Sequence, residues 1–574
     1  MSLTRTCLAI LATLAMATPA RAASFYVDPT GGSDSNSGSS ASPFKTLQTV
    51  VDTLVQTRVY VSGSLTPANS GAPIKAGDTI VLLSGYYGTL TINGKHNTQH
   101  VVIAAAQGAK ARFARVVVRD SSFWTLRGLD VSPSHAPTYS TATMIELQAY
   151  NQKGPLKEII VEDCQLRSVP DVSGWSAADW NNKAVNGFSV SGTKMTIRNN
   201  TLENVNFGIN VGASYSLIKG NTVKNFSGDG MRGLGDYTVF EGNTIKNCYD
   251  VNANHDDGFQ SWTKGSDGKV GTGTVTGVVL RGNLFINYED PNQPLRGTLQ
   301  GIGMFDGTFV DWVIENNVII TDHWHGISLY GAKNCRVVNN TVIDPNTTSP
   351  GPPWIKITNH KDGTPPSGCL VRNNLATAFT SASTGVTEDH NIKVTSYADH
   401  FVDAAGYDLH LIPGSSALNS GAAQDAPSAD YDGVARPQGS GVDVGAFEWH
   451  SGAVTPPKAD SGTAPTPDSG APPMSPDSGV SADSGIAPMA DSGIAPVADS
   501  GVGPSADSGI APTADSGTSP GGGDGCVNCA EQDTLTSGCT LARVGARGGS
   551  SSLALLLLAL VLLCRRRARG DKPV

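Results

Sequence analysis

Between residues 126 and 376 short apolar runs alternate with polar bends at a nearly constant interval. The phrase apolar-x-Asn/Gly-Asn-x recurs as Ile197-Arg-Asn-Asn-Thr, Ile218-Lys-Gly-Asn-Thr, Phe240-Glu-Gly-Asn-Thr, Leu280-Arg-Gly-Asn-Leu, Ile314-Glu-Asn-Asn-Val, Val337-Val-Asn-Asn-Thr and Val371-Arg-Asn-Asn-Leu. Its second Asn falls at 200, 221, 243, 283, 317, 340 and 374, so the steps fit a period of about 22 residues with occasional insertions. Weaker copies lie upstream at Val161-Glu-Asp-Cys164 and Leu126-Arg-Gly-Leu129. Such a unit is shorter than the ~30 residues of a βαβ crossover, and its Val, Ile and Thr runs between turn residues are a strand signature. One unit cannot bury its own apolar face, so units must stack. Stacking predicts an all-β solenoid with the Asn side chains in a ladder at one bend. A leucine-rich horseshoe is excluded, because no regular Leu framework is present.

The strand after each Asn bend repeats as Gly-apolar-x, at Gly187, Gly208, Gly230, Gly258, Gly301 and Gly326, with looser copies at Met144-Ile-Glu and Trp354-Ile-Lys. Side chains alternate between faces along a strand. The apolar residue then points inward and the next one outward. The outward column reads Glu146, Ser189, Asn210, Arg232, Gln260, Gly303, Ser328 and Lys356. Two positions on, a second column holds Leu234, Trp262, Phe305 and Tyr330. The residues before each Gly form a third: Asn186, Phe207, Asp229, Asp257, Gln300 and His325, with His255, Asp256 and His323 beside it. With coils ~4.8 Å apart, a polar row beside aromatic rings suits a linear polysaccharide. Asn210, Gln260, Trp262, Phe305, Tyr330 and His323 are the expected substrate contacts.

The two ends change the picture. Residues 1–22 read as an export signal: Arg5, an apolar Cys7–Met16 and the small-x-small site Ala20-Arg21-Ala22. Residues 23–450 are the solenoid. Residues 451–525 cycle through Ala-Asp-Ser-Gly-Ile-Ala-Pro and are expected to be disordered, since no aromatic follows Trp449. That linker holds nine Asp and one Lys, so −8 of the net −10 belongs to it. The acidity therefore says nothing of the substrate, and no basic stripe supports nucleic-acid binding. Residues 526–574 carry Cys526, Cys529 and Cys539, an apolar run Leu553–Leu563 expected as a short transmembrane helix, and the cluster Arg565-Arg-Arg-Ala-Arg569. This tail resembles the tripartite C-terminal sorting signal of myxobacteria, which implies cleavage near the cysteines and attachment at the outer surface. A plain membrane anchor is the alternative. In the body, Cys164, Cys248, Cys335 and Cys369 follow the repeat and read as stacked core residues, not a disulfide framework. The body is expected to be a monomer.

Three segments carry a family resemblance: Phe25-Tyr-Val-Asp-Pro through Pro43-Phe-Lys-Thr-Leu-Gln48, the Asn repeats, and Asp408-Leu-His-Leu through Asp443-Val-Gly-Ala-Phe-Glu448. Together they resemble the right-handed parallel β-helix superfamily of polysaccharide lyases, pectinases and alginate epimerases. The resemblance implies an enzyme acting on a uronic-acid polymer. In the elimination or epimerisation it implies, the sugar carboxylate is neutralised and a base removes the adjacent proton. Arg232 and Gln260 are candidates to hold the carboxylate. Lys356, His325 or His255 are candidate bases. Asp229, Asp256 and Asp257 are candidate ligands for Ca²⁺, which prefers oxygen donors.

The order Asp229-Gly, Asp256-Asp-Gly, His325-Gly and Ile355-Lys356 is also similar to the polygalacturonase pattern. It implies a hydrolase using a pair of Asp carboxyls. Ser227-Gly and Trp354 depart from that pattern, and the coil with Gln300 interrupts it. A surface protein that binds carbohydrate without chemistry is the third reading.

Overall fold

The computed structural model describes residues 22–451 apart from 345, 347–349 and 381–382. The export signal (all but its last residue), the linker after residue 451 and the sorting tail with its apolar run lie outside the described residues. Among the described residues no helix is long and apolar enough to cross a membrane.

The chain winds through three sheets of 15, 12 and 11 strands, parallel but for the antiparallel hairpin Thr57–Val61 and Ser64–Ala68 on the first. A representative coil runs Thr196–Arg198 in the first sheet, Thr201–Val205 in the second and Ile209–Val211 in the third. The Gly-apolar-x strand is thus the second strand after the Asn bend, not the first. Each strand pairs with its counterpart one coil on, as Ile197↔Ile218, Leu202↔Val223 and Ile209↔Met231 show. One apolar residue per strand therefore stacks on its like, and the core is one continuous column of buried Val, Ile, Leu and Phe.

The Asn repeat has two separate causes. The first Asn or Gly of each phrase takes a left-handed backbone, with φ between 52° and 64° at Asn199, Gly220, Gly242, Gly282, Asn316, Asn339 and Asn373. Only Gly and Asn adopt that region at low cost. The second Asn is buried and forms the ladder. Asn243 donates from Nδ2 to Asn283 Oδ1 at 2.9 Å, and Asn283 in turn to Asn317 Oδ1 at 2.9 Å. The same oxygens accept backbone N–H groups, as Asn243 N to Asn283 Oδ1 at 3.0 Å. The ladder runs from Asn200 to Asn391, one rung beyond the repeat legible in the sequence.

The glycines of Gly-apolar-x mark a close approach between coils. A Cβ at Gly230 would stand 2.3 Å from Ile245 Cγ2 and 2.9 Å from the Gly258 carbonyl oxygen. The four body cysteines are buried free thiols. Leu47, Val50, Val51 and Val55 close the N-terminal end of the core. The last segment folds back instead of adding coils. Phe401, Leu409, Leu411 and Phe447 join a second apolar cluster with Val318, Ile320 and Ile343, covering the outer side of the second sheet. A buried Arg436–Glu448 ion pair at 2.7 Å holds that segment together.

Candidate functional site

The third sheet carries the outward polar row, and its strands keep register over the whole row. Glu146 pairs with Ser189, Ser189 with Asn210, Asn210 with Arg232 and Arg232 with Gln260. Gln260 then pairs with Gly303, Gly303 with Ser328 and Ser328 with Lys356. Eight coils thus place one residue each on a single strip. The insertions lie at its two margins. Residues 289–298 fold against the bend at 248–250, where Asp250 N donates to Leu295 O at 2.8 Å. Residues 264–273 lie at the strand exit, where Gly271 N donates to Thr263 O at 2.9 Å.

The expected aromatic ledge is not continuous. The register slips between Ser261 and Trp262, so Trp262 pairs with Asp306 and not Phe305. Leu234 lies beyond its strand, Met231–Gly233. Trp262 serves Arg232 instead. The guanidinium lies 5.0 Å from the Trp262 ring and 4.0 Å from the ring of Phe207 on the previous coil. Phe305 meets Tyr330 edge-on at 5.2 Å and His325 at 4.8 Å. These rings brace charged and titratable groups more than they form a flat platform.

Arg232 is fixed from a third side. Its Nε donates to Asp229 Oδ2 at 2.5 Å, while Asp229 Oδ1 accepts the backbone N–H of Asp257 at 3.0 Å. Asp229 is fully buried, and desolvation raises its pKa against the opposing pull of Arg232. On the next coil Asp257 Oδ2 accepts from Gln260 Nε2 at 3.0 Å. Asp257 and Gln300 are neighbours in the ladder, and Gln300 Nε2 faces His255 Nδ1 at 3.3 Å.

His325 begins the strand His325–Tyr330. Its Nδ1 meets Ser328 Oγ at 2.8 Å, and that hydroxyl also accepts Trp354 Nε1 at 3.0 Å. Burial, with Lys356 and His255 nearby, pulls the His325 pKa down to about 4, so the imidazole is neutral at neutral pH. His323 stacks on it at 5.2 Å and accepts its backbone N–H through Nδ1. The Lys356 ammonium lies 5.0 Å from the Trp354 ring and 5.8 Å from the Tyr330 ring. Asn210 is half-buried beside Arg232.

The proposed Ca²⁺ ligands do not converge. Asp256 is engaged elsewhere: its Oδ1 accepts from Asn254 at 3.0 Å and its Oδ2 lies 3.5 Å from Cys248 Sγ. Burial raises its pKa well above the usual carboxylate range, so it behaves as a buried acid. Asp229 has one oxygen on Arg232 and the other on a backbone N–H. Among the described residues no three His, Cys, Asp or Glu side chains gather as a metal-ligating group. The donor set does not fit a hard cation that takes 6–8 oxygens.

Phe207 and Trp354 received no role from the sequence. Phe207 stands in the third column, and its place one coil before Arg232 was the available signal. Trp354 was visible only as the start of the looser copy Trp354-Ile-Lys and as a departure from the polygalacturonase pattern.

Residues 186–376 match the family described as a right handed beta helix region. The three-sheet, largely parallel winding of the described residues is consistent with that fold. No curated protein matches the chain. Among solved structures, a pectate lyase is similar at 17% identity and a TM-score of 0.40, covering 74% of this chain and 96% of that one. A mannuronan C-5 epimerase A-module of Azotobacter vinelandii is similar at 13% identity and a TM-score of 0.36, covering 56% and 91%. An exopolygalacturonase of Thermotoga maritima is similar at 12% identity and a TM-score of 0.28, covering 56% and 84%.

Proposed function

We propose that the chain is an exported, surface-attached enzyme that lays an acidic polysaccharide along the strip and removes the proton next to a uronate carboxylate. The reading is carried by one observation: Arg232 and Lys356 stand in the same in-register row, with Gln260, Gly303 and Ser328 between them and a neutral His325 alongside. A fixed guanidinium and an ammonium neutralise carboxylates, which acidifies the adjacent C–H. The neutral imidazole of His325 takes that proton. In elimination the C–H electron pair forms a C=C bond as the glycosidic C–O bond breaks, and the leaving oxygen receives a proton. In epimerisation the proton returns to the opposite face. Neutralisation is assigned to Arg232 and Lys356, because the three Asp residues do not fit Ca²⁺.

Hydrolysis is the second reading. It is favoured by Asp229, held toward its acid form by burial, beside Asp257 on the next coil. Asp229 would act as acid and Asp257 as base on a water.

The mature protein, incubated with polygalacturonate, alginate and glycosaminoglycans, with and without chelator, separates these readings. Elimination gives an ultraviolet-absorbing unsaturated sugar, epimerisation gives a changed uronate ratio without cleavage, and hydrolysis gives reducing ends without absorbance. Saturable binding with no product leaves a binder, and no binding rejects the reading. Export and attachment are checked separately, by the N-terminus of the mature chain and by surface proteolysis of cells.

A further inference from the structure

Two buried amide oxygens, one on Gln260 in the strip and one on Gln300 in the bend column beside it, lack a hydrogen-bond donor. Gln260 and Gln300 are each only 5% exposed. The Gln260 amide nitrogen is committed to Asp257 Oδ2 at 3.0 Å, and a carboxylate oxygen accepts, which fixes which way that amide faces. The Gln300 nitrogen faces His255 Nδ1 at 3.3 Å. The remaining atoms, Gln260 Oε1 and Gln300 Oε1, are both buried without a hydrogen-bond partner. They belong to neighbouring coils, since Gln260 pairs with Gly303 and Gln300 with Asp257. A buried amide oxygen left unpaired is costly, and native proteins rarely keep one without a partner from water or ligand. A carboxylate cannot fill the place, because it has no proton to donate and would lie against Asp257. A hydroxyl can.

From this we infer that Gln260 and Gln300 are specificity residues whose amide oxygens accept two hydroxyl protons from the sugar seated at the middle of the strip. The inference rests on the reading of the strip as a polysaccharide site. It gives Gln260 a hydroxyl in place of the carboxylate expected from sequence, and leaves carboxylate recognition to Arg232 and Lys356. Entry to Gln300 requires displacing the exposed His255 ring, which is joined to it by a single weak contact. The substrate class follows. The central sugar carries free hydroxyls, and O-acetylation, which removes the donor proton and adds bulk, excludes it.

The test is equilibrium binding of the full chain to uronate oligomers, polygalacturonate and polymannuronate, each with and without chemical O-acetylation. The wild type is expected to bind the unacetylated form of its preferred polymer at least tenfold more tightly. Gln260→Leu and Gln300→Leu are expected to bring that ratio toward one while the affinity for the acetylated form is kept, which also reports that the variants fold. Equal affinity of the wild type for the two forms overturns the inference and leaves the polysaccharide reading standing. Failure of the wild type to bind any of the oligomers overturns both. Because the wild-type ratio alone can decide, a variant that fails to fold does not shelter the inference.

Discussion

The carboxylate of Asp257 lies directly over the α-carbon of Gly303 on the next coil, so that a Cβ at residue 303 would stand 2.2 Å from Asp257 Oδ1. This is why a residue without a side chain interrupts the polar row between Gln260 and Ser328. Gly303→Ala is expected to displace the Asp257 carboxylate and weaken its bond to Gln260 while leaving the coil intact. The expected outcome is a loss of at least tenfold in kcat/KM with a Tm close to wild type. A crystal structure of the variant with Asp257 unmoved, or full activity, would count against the role given to this pair.

The Asn ladder yields a stability prediction. In Asn283→Ala Phe240 O loses its side-chain donor, Asn317 Oδ1 keeps only the backbone N–H of residue 283, and the Asn243 backbone N–H loses its acceptor while Asn243 Nδ2 keeps only Ile218 O. Buried groups left this way cost ~1–3 kcal/mol each, so a total on the order of 3 kcal/mol is expected by denaturant unfolding. Asn391→Ala, at the half-buried end of the ladder, should cost less, since water can replace its bonds.

His325 gives a pH prediction with a definite sign. Its folded pKa, about 4, lies below the ordinary 6.5 of an unfolded chain. The unfolded state therefore takes up the proton first as pH falls. The stability this group contributes is present above pH 6.5 and is lost between 6.5 and about 4. At about 1.36 kcal/mol per unit the loss is on the order of 3 kcal/mol. His325→Gln should flatten that part of the stability–pH curve. If His325 is the base, the acid limb of the rate should fall near pH 4 and not near 6.5.

Much of the architecture was legible because the repeat itself enforces it. The left-handed bend demands Asn or Gly, and the ladder demands Asn, so Asn199-Asn200 and Gly220-Asn221 announce the coil step. The row from Glu146 to Lys356 was legible for the same reason: once the bends align, alternation carries the outward residue of each strand onto one line. What escaped were features that depend on a single residue or on distant chain. One extra residue, Phe305, opposite the Ser261/Trp262 step leaves Trp262 paired with Asp306 and off the column of Phe305 and Tyr330. The turn of Asp256 toward Cys248 depends on a neighbour in another sheet. The packing of 401–447 onto the second sheet joins apolar residues that no periodicity relates.

The central claim, that the row from Arg232 to Lys356 is one polymer-binding strip, is tested most directly by affinity as a function of oligouronate length. Four coil steps of ~4.8 Å separate the two cations, about 19 Å, and a sugar is roughly one coil long. Affinity is expected to climb with each added sugar until the oligomer spans both cations, at about four or five units, and then level off. Lys356→Met is expected to bring the plateau to shorter oligomers, and Arg232→Gln to do the same from the other end. An affinity that ignores oligomer length, or that neither substitution alters, would contradict the account.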